Sequence, residues 1–293
     1  MVAGRRFARY TVMILRKSAA EIEKMRVAGR VVSEVLQALT DAIVPGVTRT
    51  KDLDRLAADI ARKRGAVPAF LGYRGYPANT CISVNEAVVH GIPNERVLKS
   101  GDVVSIDFAC SVNGYFADAA VTVPVGEVSP EARRLLMVTR ECLYKGIAQA
   151  KAGGRLGDVA SAVQRHAEAA GFGVVRDLVG HGIGRAMHEG PQVPNFGRPG
   201  KLERLEEGMT IALEPMINQG TREVESLADQ WTIVTADGKL SAHFEHTIAI
   251  TRRGADILTL PAVVPAFEKA TASTQPSASA VAAAHQAPVG AGV

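Results

Sequence analysis

Two histidines, His181 and His188, stand seven positions apart in "LVGHGIGRAMHEGPQV" (178–193), a stretch that holds four glycines. Helical metal-binding histidine pairs sit at i and i+4, and seven positions along one unbroken strand would send the two rings to opposite faces. A single site for both rings therefore requires a turn between them, which Gly182 and Gly184 can supply. The competing reading is a glycine-rich surface loop with two solvated imidazoles. Carboxylates come from "GDVVSIDFACSVNGYFADAAVTV" (101–123), where Asn113-Gly114 between two apolar runs is a hairpin signal. A two-residue turn there sets Asp118 opposite Ala109 and makes Asp107 its diagonal neighbour on the same face, with Cβ atoms roughly 7 Å apart. A three-residue loop would put the two aspartates on opposite faces. Carboxylates embedded among Val, Ile, Phe and Ala repel each other and are costly to bury unless neutralised, yet neither strand carries a Lys or Arg. A shared proton or bound cations remain, and cations are the better account.

Two more acids occur in similar settings. Glu214 interrupts the apolar run "MTIALEPMI" just before Pro215, and in "SAHFEHTIAI" alternation puts His243, Glu245 and Thr247 on one face. Either glutamate alone reads more simply as a paired group or as one at a solvated edge. Four strand carboxylates and a glycine-flanked histidine together suit a pair of divalent ions, Mn, Fe, Co or Zn, about 3.5–4 Å apart.

Ser18 and Glu21 form an S-x-x-E capping box, from which a helical pattern runs to about Leu39. A second helix runs from about Thr50 to Lys63 and stops at Gly65. A third follows Ser129 as N-cap, with Pro130 at its first position, and a fourth ends at Gly171. Residues 80–90, 102–109, 115–123, 209–217, 230–235 and 242–251 read as strands. A weak repeat is visible. Helices closed by Gly65 and by Gly171 are each followed by strand-like sequence carrying His-Gly-Ile, at His90 and at His181. Two such halves predict an α+β domain with internal pseudo-symmetry, its sheets backed by helices.

The 293 residues can bury a sizeable core, and 47% hydrophobic with 22% charged residues is an ordinary balance for a globular protein. A net charge of +4 is too small to argue for a specific nucleic-acid partner. Three scattered cysteines, Cys81, Cys110 and Cys142, form no CxxC pair, which points to a reducing compartment and away from a disulfide framework. No apolar run approaches the roughly 18 residues of a membrane span. The run from Tyr10 to Leu15 is shorter than a signal-peptide core, so the chain reads as cytoplasmic. From Ala262 onward Ala, Pro, Ser and Gly dominate, a composition expected to stay disordered.

The segments "GYRGYPANTCISVNEAVVHGIP", "SIDFACSVNGYFADAA", "GHGIGRAMHEGPQV", "IALEPMIN" and "SAHFEHTIAIT" follow one another in order. Together they resemble the type I methionine aminopeptidases, of the pita-bread metallopeptidase fold, from about Ser18 to Leu260. The resemblance implies a catalytic pita-bread domain over 18–261, with an N-terminal extension over 1–17 and a tail over 262–293. It also implies five metal ligands: Asp118 and Glu245 bridging two ions, Asp107 on one, His181 and Glu214 on the other. In that pattern Glu214 shuttles the proton while a water activated by the ions attacks the carbonyl of an N-terminal methionine. His90 and His188 face the substrate, and Tyr73, Tyr76, Cys81 and Trp231 match the methionine pocket. Departures lie in the same pocket. Phe70 stands where better-known bacterial members have a cysteine, Met187 where they often have an aromatic residue, and Val89 replaces a cysteine before His90.

The implied partners are the N-termini of nascent polypeptides, with the ribosome as a further one, for a monomer that binds neither membrane nor specific nucleic acid. Two other readings of the same fold compete. Proline-directed aminopeptidases carry a separate N-terminal domain, for which the 106 residues before Asp107 leave too little room. An inactive binding module would lack ligands, whereas all five are present here.

Overall fold

A computed structural model describes residues 14–261 and 263. The expected extension, 1–17, and the tail, 262–293, lie outside the described residues apart from Ile14–Lys17 and Val263. Both N-caps read from the sequence are in place. Helix α1, Ala19–Asp41, opens on the reciprocal Ser18–Glu21 capping box, and α3, Pro130–Gln149, opens on Ser129, whose hydroxyl accepts from the Ala132 N–H. Helix α2 spans Thr50–Lys63 and α4 spans Leu156–Ala169. Gly65 and Gly171, just beyond α2 and α4, adopt φ of 67° and 80°, a left-handed conformation that costs glycine little.

The Asn113-Gly114 turn gives the expected register. Strand Val103–Val112 pairs antiparallel with Tyr115–Pro124, Ala109 opposite Asp118 and Asp107 opposite Ala120. On its other edge the first strand pairs with Cys81–Val84, which sets Cys81 beside Asp107. The second half carries a five-stranded sheet, in the order Gly254–Ile257, His246–Thr251, Thr210–Leu213, Gly180–Gly182 and Glu189–Val193. Two three-stranded sheets complete the fold, one of them joining Ala87–Val89 to Ile233–Thr235. Three expected strands are interrupted. The 80–90 run breaks at a turn over Asn85 and Glu86, 209–217 breaks at Glu214 and Pro215, and 242–251 breaks at Phe244 and Glu245.

One apolar core runs through both halves. Val32, Val35 and Leu36 of α1 join Ile106, Phe108 and Val121 of the hairpin, and the same cluster takes in Leu156 and Val159 of α4 with Ile211, Leu213 and Ile248 of the five-stranded sheet. Each such side chain contributes about 1.5–3 kcal/mol on burial, so the two halves fold around shared contacts. The seam between them is stitched by threonine hydroxyls. Thr247 Oγ1 accepts from the Asp118 N–H at 2.9 Å and donates to the Asp118 carbonyl at 2.8 Å, and Thr122 Oγ1 does the same for His243. The Glu245 N–H donates to the Ala120 carbonyl at 2.9 Å. These bonds hold Asp118 of the first half against Glu245 of the second.

Candidate metal centre and substrate pocket

All five acids and histidines expected as ligands line one cavity of about 330 Å³: Asp107, Asp118, His181, Glu214 and Glu245. Donor atoms of Asp118, His181 and Glu245 lie within 4.8 Å of one another. His181 Nδ1 donates to the Gly182 carbonyl at 2.8 Å, an acceptor that leaves Nε2 as the ring's lone-pair nitrogen. That nitrogen lies 3.6 Å from Glu214 Oε1, beyond a hydrogen bond. Asn195 anchors Glu214 from behind, its amide donating to the Glu214 carbonyl at 2.9 Å.

The electrostatics of the cluster are those of a cation site. Asp107 Oδ1, Asp118 Oδ1 and Glu245 Oε1 are buried without a hydrogen-bond partner. Burial is the largest cause that drives Asp107, Glu214 and Glu245 well above the usual carboxylate range, each adding to the effect of a charged Asp118 nearby. Burial likewise pushes Asp118 up to about 7. It also holds His181 below its ordinary value, against the Gly182 carbonyl, which acts the other way. Four carboxylates, three of them with orphaned buried oxygens, thus face a neutral imidazole, and divalent ions would both neutralise them and fill their coordination. The donor set fits the metals expected from the sequence.

The turn that brings the two histidines together works differently from the sequence expectation. Their ring centroids are 4.1 Å apart, because strands Gly180–Gly182 and Glu189–Val193 pair antiparallel, Gly182 opposite Glu189. Neither Gly182 nor Gly184 is among the left-handed glycines. They are glycine because a Cβ on Gly182 would come 2.0 Å from the Gly190 carbonyl oxygen, and one on Gly184 would come 2.2 Å from Lys17 Cε. Close approach, rather than turn conformation, requires them.

The remaining expected residues line the same cavity: Phe70, Tyr73, Tyr76, Cys81, His90, Met187, His188 and Trp231. Tyr73 stacks on His188 with centroids 5.2 Å apart. Trp231 meets Tyr76 edge-on at 5.0 Å and His90 at 6.4 Å, and Phe70 meets Tyr76 edge-on at 6.3 Å. The Tyr76 hydroxyl donates toward the Thr80 and Gly91 carbonyls, each at 3.0 Å. Asp54 of α2 pins the adjoining loop by accepting from the backbone N–H groups of Asn79 and Thr80 and from both their side chains. Burial pushes the Cys81 thiol well up, so it presents an apolar sulfur wall. His90 sits at φ 60° directly after Ala87–Val89, and burial lowers its pKa. Burial, with His181 next, holds His188 down to about 3.

The sequence reading left out Arg74 and assigned His243 no role. Arg74 lines the cavity with its guanidinium over the Tyr73 ring, 5.5 Å from the centroid. Its φ of 48° reflects a turn that no spacing rule announces. His243 is 2% exposed, with Nε2 unpartnered and 3.8 Å from Glu214 Oε2. Its place on the Glu245 face was legible, but a lone histidine on a strand reads first as a core residue.

Residues 23–252 match the family described as metallopeptidase family M24. Methionine aminopeptidase 1 of Bacillus subtilis is 51% identical over 84% of this chain and 99% of its own length. The crystal structure of a methionine aminopeptidase from Thermotoga maritima superposes with a TM-score of 0.83 at 49% identity, covering 84% of this chain and 99% of that one. A prolidase from Pyrococcus furiosus shares the fold alone, with a TM-score of 0.68 at 24% identity over 83% of this chain and 65% of its own. The pita-bread architecture is thus common to both groups, and sequence identity separates them. The chain belongs to metallopeptidase family M24, a family of hydrolases that use divalent metal, and within it to the methionine aminopeptidases.

Proposed function

We propose that this chain, acting in the cytoplasm, removes the N-terminal methionine from nascent polypeptides whose second residue is small, with two divalent ions at its centre. The observation that carries the reading is the joining of two surfaces in one cavity, a cluster of four carboxylates, three of them with orphaned oxygens, beside an imidazole, and an apolar wall of aromatic and sulfur side chains. Asp118 and Glu245 would bridge the ions, Asp107 would hold one, and His181 with Glu214 the other. Such ions supply, when bound, a water of lowered pKa and a polarised carbonyl.

The protein's own groups do the rest. Glu214, raised by burial, is suited to take a proton and return it to the leaving amine. His90 and His188 are kept neutral by burial, so each can donate an N–H to the developing tetrahedral oxyanion without adding charge. The methionine side chain is received by Phe70, Tyr73, Tyr76, Cys81, Met187 and Trp231, a wall that tolerates a polarizable thioether. A panel of Met-X peptides tests the substrate assignment. Turnover is expected for X = Gly or Ala and about 10²-fold slower for X = Lys; equal rates would overturn it. A proline-directed activity would show instead as cleavage of X-Pro peptides.

A further inference from the structure

Lys17 belongs to the segment that precedes α1, yet its side chain is only 4% exposed and pairs with Glu189, itself 7% exposed. Glu189 immediately follows His188, and its carboxylate has two duties. One oxygen takes the Lys17 ammonium. The other accepts from the Arg185 N–H at 2.7 Å and the Ala186 N–H at 3.1 Å, the residues just before Met187 and His188. The lysine stem crosses Gly184, where a Cβ would stand 2.2 Å from Cε and 2.7 Å from Nζ. Lys17 is itself anchored, its N–H donating to the Gly208 carbonyl at 2.7 Å and its ammonium to the Leu15 carbonyl at 3.3 Å. A second tie lies outside the first. Glu21 of α1 accepts from Arg185 Nη2 at 3.0 Å and from the Tyr115 hydroxyl at 3.1 Å.

The start of the turn Ile183–His188 is held from outside, the Ile183 N–H donating to the Thr210 carbonyl at 3.1 Å and the Gly184 carbonyl accepting from the Phe116 N–H at 2.8 Å, whereas the N–H groups of Arg185 and Ala186 are left to Glu189. The turn's internal backbone bond is the Gly184 N–H to the Ala186 carbonyl, at 3.1 Å. We propose that Lys17 is a positioning residue for His188: through Glu189 it clamps the turn so that the imidazole stands over His181 and against Tyr73. The inference rests on His188 facing the substrate. A displacement of about 1 Å at such a group can cost on the order of 10²-fold in rate, so a buried ammonium remote in sequence from the chemistry governs turnover.

The test is a double-mutant cycle in the full-length, Mn²⁺-loaded protein. Lys17→Met keeps an aliphatic stem across Gly184 and removes the charge. Hydrolysis of Met-Gly-Met is expected to lose about 10- to 100-fold in kcat, with KM changed less and Mn²⁺ stoichiometry and affinity unchanged by calorimetric titration. In a His188→Ala background the same substitution is expected to lower kcat no further. The charge-neutral pair Lys17→Met/Glu189→Gln, which leaves no unpaired buried carboxylate, repeats the cycle should Lys17→Met fail to fold, with a loss of about tenfold that again vanishes without His188. A full loss that persists in the His188→Ala background, an unchanged kcat, or a fall in bound Mn²⁺ would overturn the positioning role. If His188→Ala alone leaves kcat unchanged, the reading of His188 fails first, and that result is read without Lys17.

Discussion

Asp107, Asp118, Glu214 and Glu245 are acids that folding makes weaker, burial being the largest cause in each. For an acid whose pKa rises on folding, the stabilisation is present below the unfolded value, near pH 4, and is lost as pH rises through the folded one. Without added metal, the melting temperature is therefore expected to fall as pH is raised from about 5 to 8, and Mn²⁺ should reverse the fall by displacing the retained protons. Calorimetric titration of Mn²⁺ at pH 7 in two buffers of different ionisation enthalpy would read that release; none in either buffer would contradict the assignment. The proposed roles of the two histidines separate by mutation. His181→Ala should weaken metal binding, with excess metal restoring part of the rate, whereas His188→Ala should bind metal normally and lose about 10²–10³ in kcat. The reverse pattern, read by titration beside steady-state kinetics, would exchange their roles. These residues were legible because buried acids without basic partners are hard to explain otherwise. The approach of His243 to Glu214 was not, since the two come from different segments of the chain.

At the scale of elements, the helix caps and the Asn113-Gly114 register are local chemistry, and they stand where the sequence puts them. What the sequence hides is where long strands stop. Glu214, Glu245 and His90 all sit at such stops, whereas Asp107 and Asp118 reach the same cavity from inside regular strands. Short pairings such as Gly180–Gly182 escape a period-2 reading, there being too few residues to show a period. The glycines of the histidine turn were legible as needed and misread in cause, since the groups that crowd them, the Gly190 carbonyl and Lys17, come from other parts of the chain. Gly182→Ala, whose new methyl would meet the Gly190 carbonyl, should therefore cost about 1–3 kcal/mol of stability and lower kcat by separating the two histidine strands. Chemical denaturation with kinetics on the same sample checks this, and a variant as stable and active as the parent would contradict the close-approach account.

The described residues form two helix–helix–strand halves closed on one core, with the candidate cation site on their seam. Asp107, Asp118 and His90 come from the first half, and His181, His188, Glu214 and Glu245 from the second. The pseudo-symmetry explains why so many acids converge, since each half brings its own strand carboxylates to the shared face, and the threonine bonds between Asp118 and Thr247 fix their separation. No helix among the described residues is long and apolar enough to cross a membrane. The central claim is that this seam is a metal centre that hydrolyses an N-terminal methionyl bond. It is tested most directly by loading the protein with Mn²⁺, counting bound ions by elemental analysis, and following free methionine released from Met-Gly-Met, beside Asp118→Asn. The account predicts methionine release by the parent, and loss of both bound metal and turnover in the variant, because Asp118 is proposed to serve both ions. Asp118→Asn protein that keeps its full metal content and its rate would contradict it.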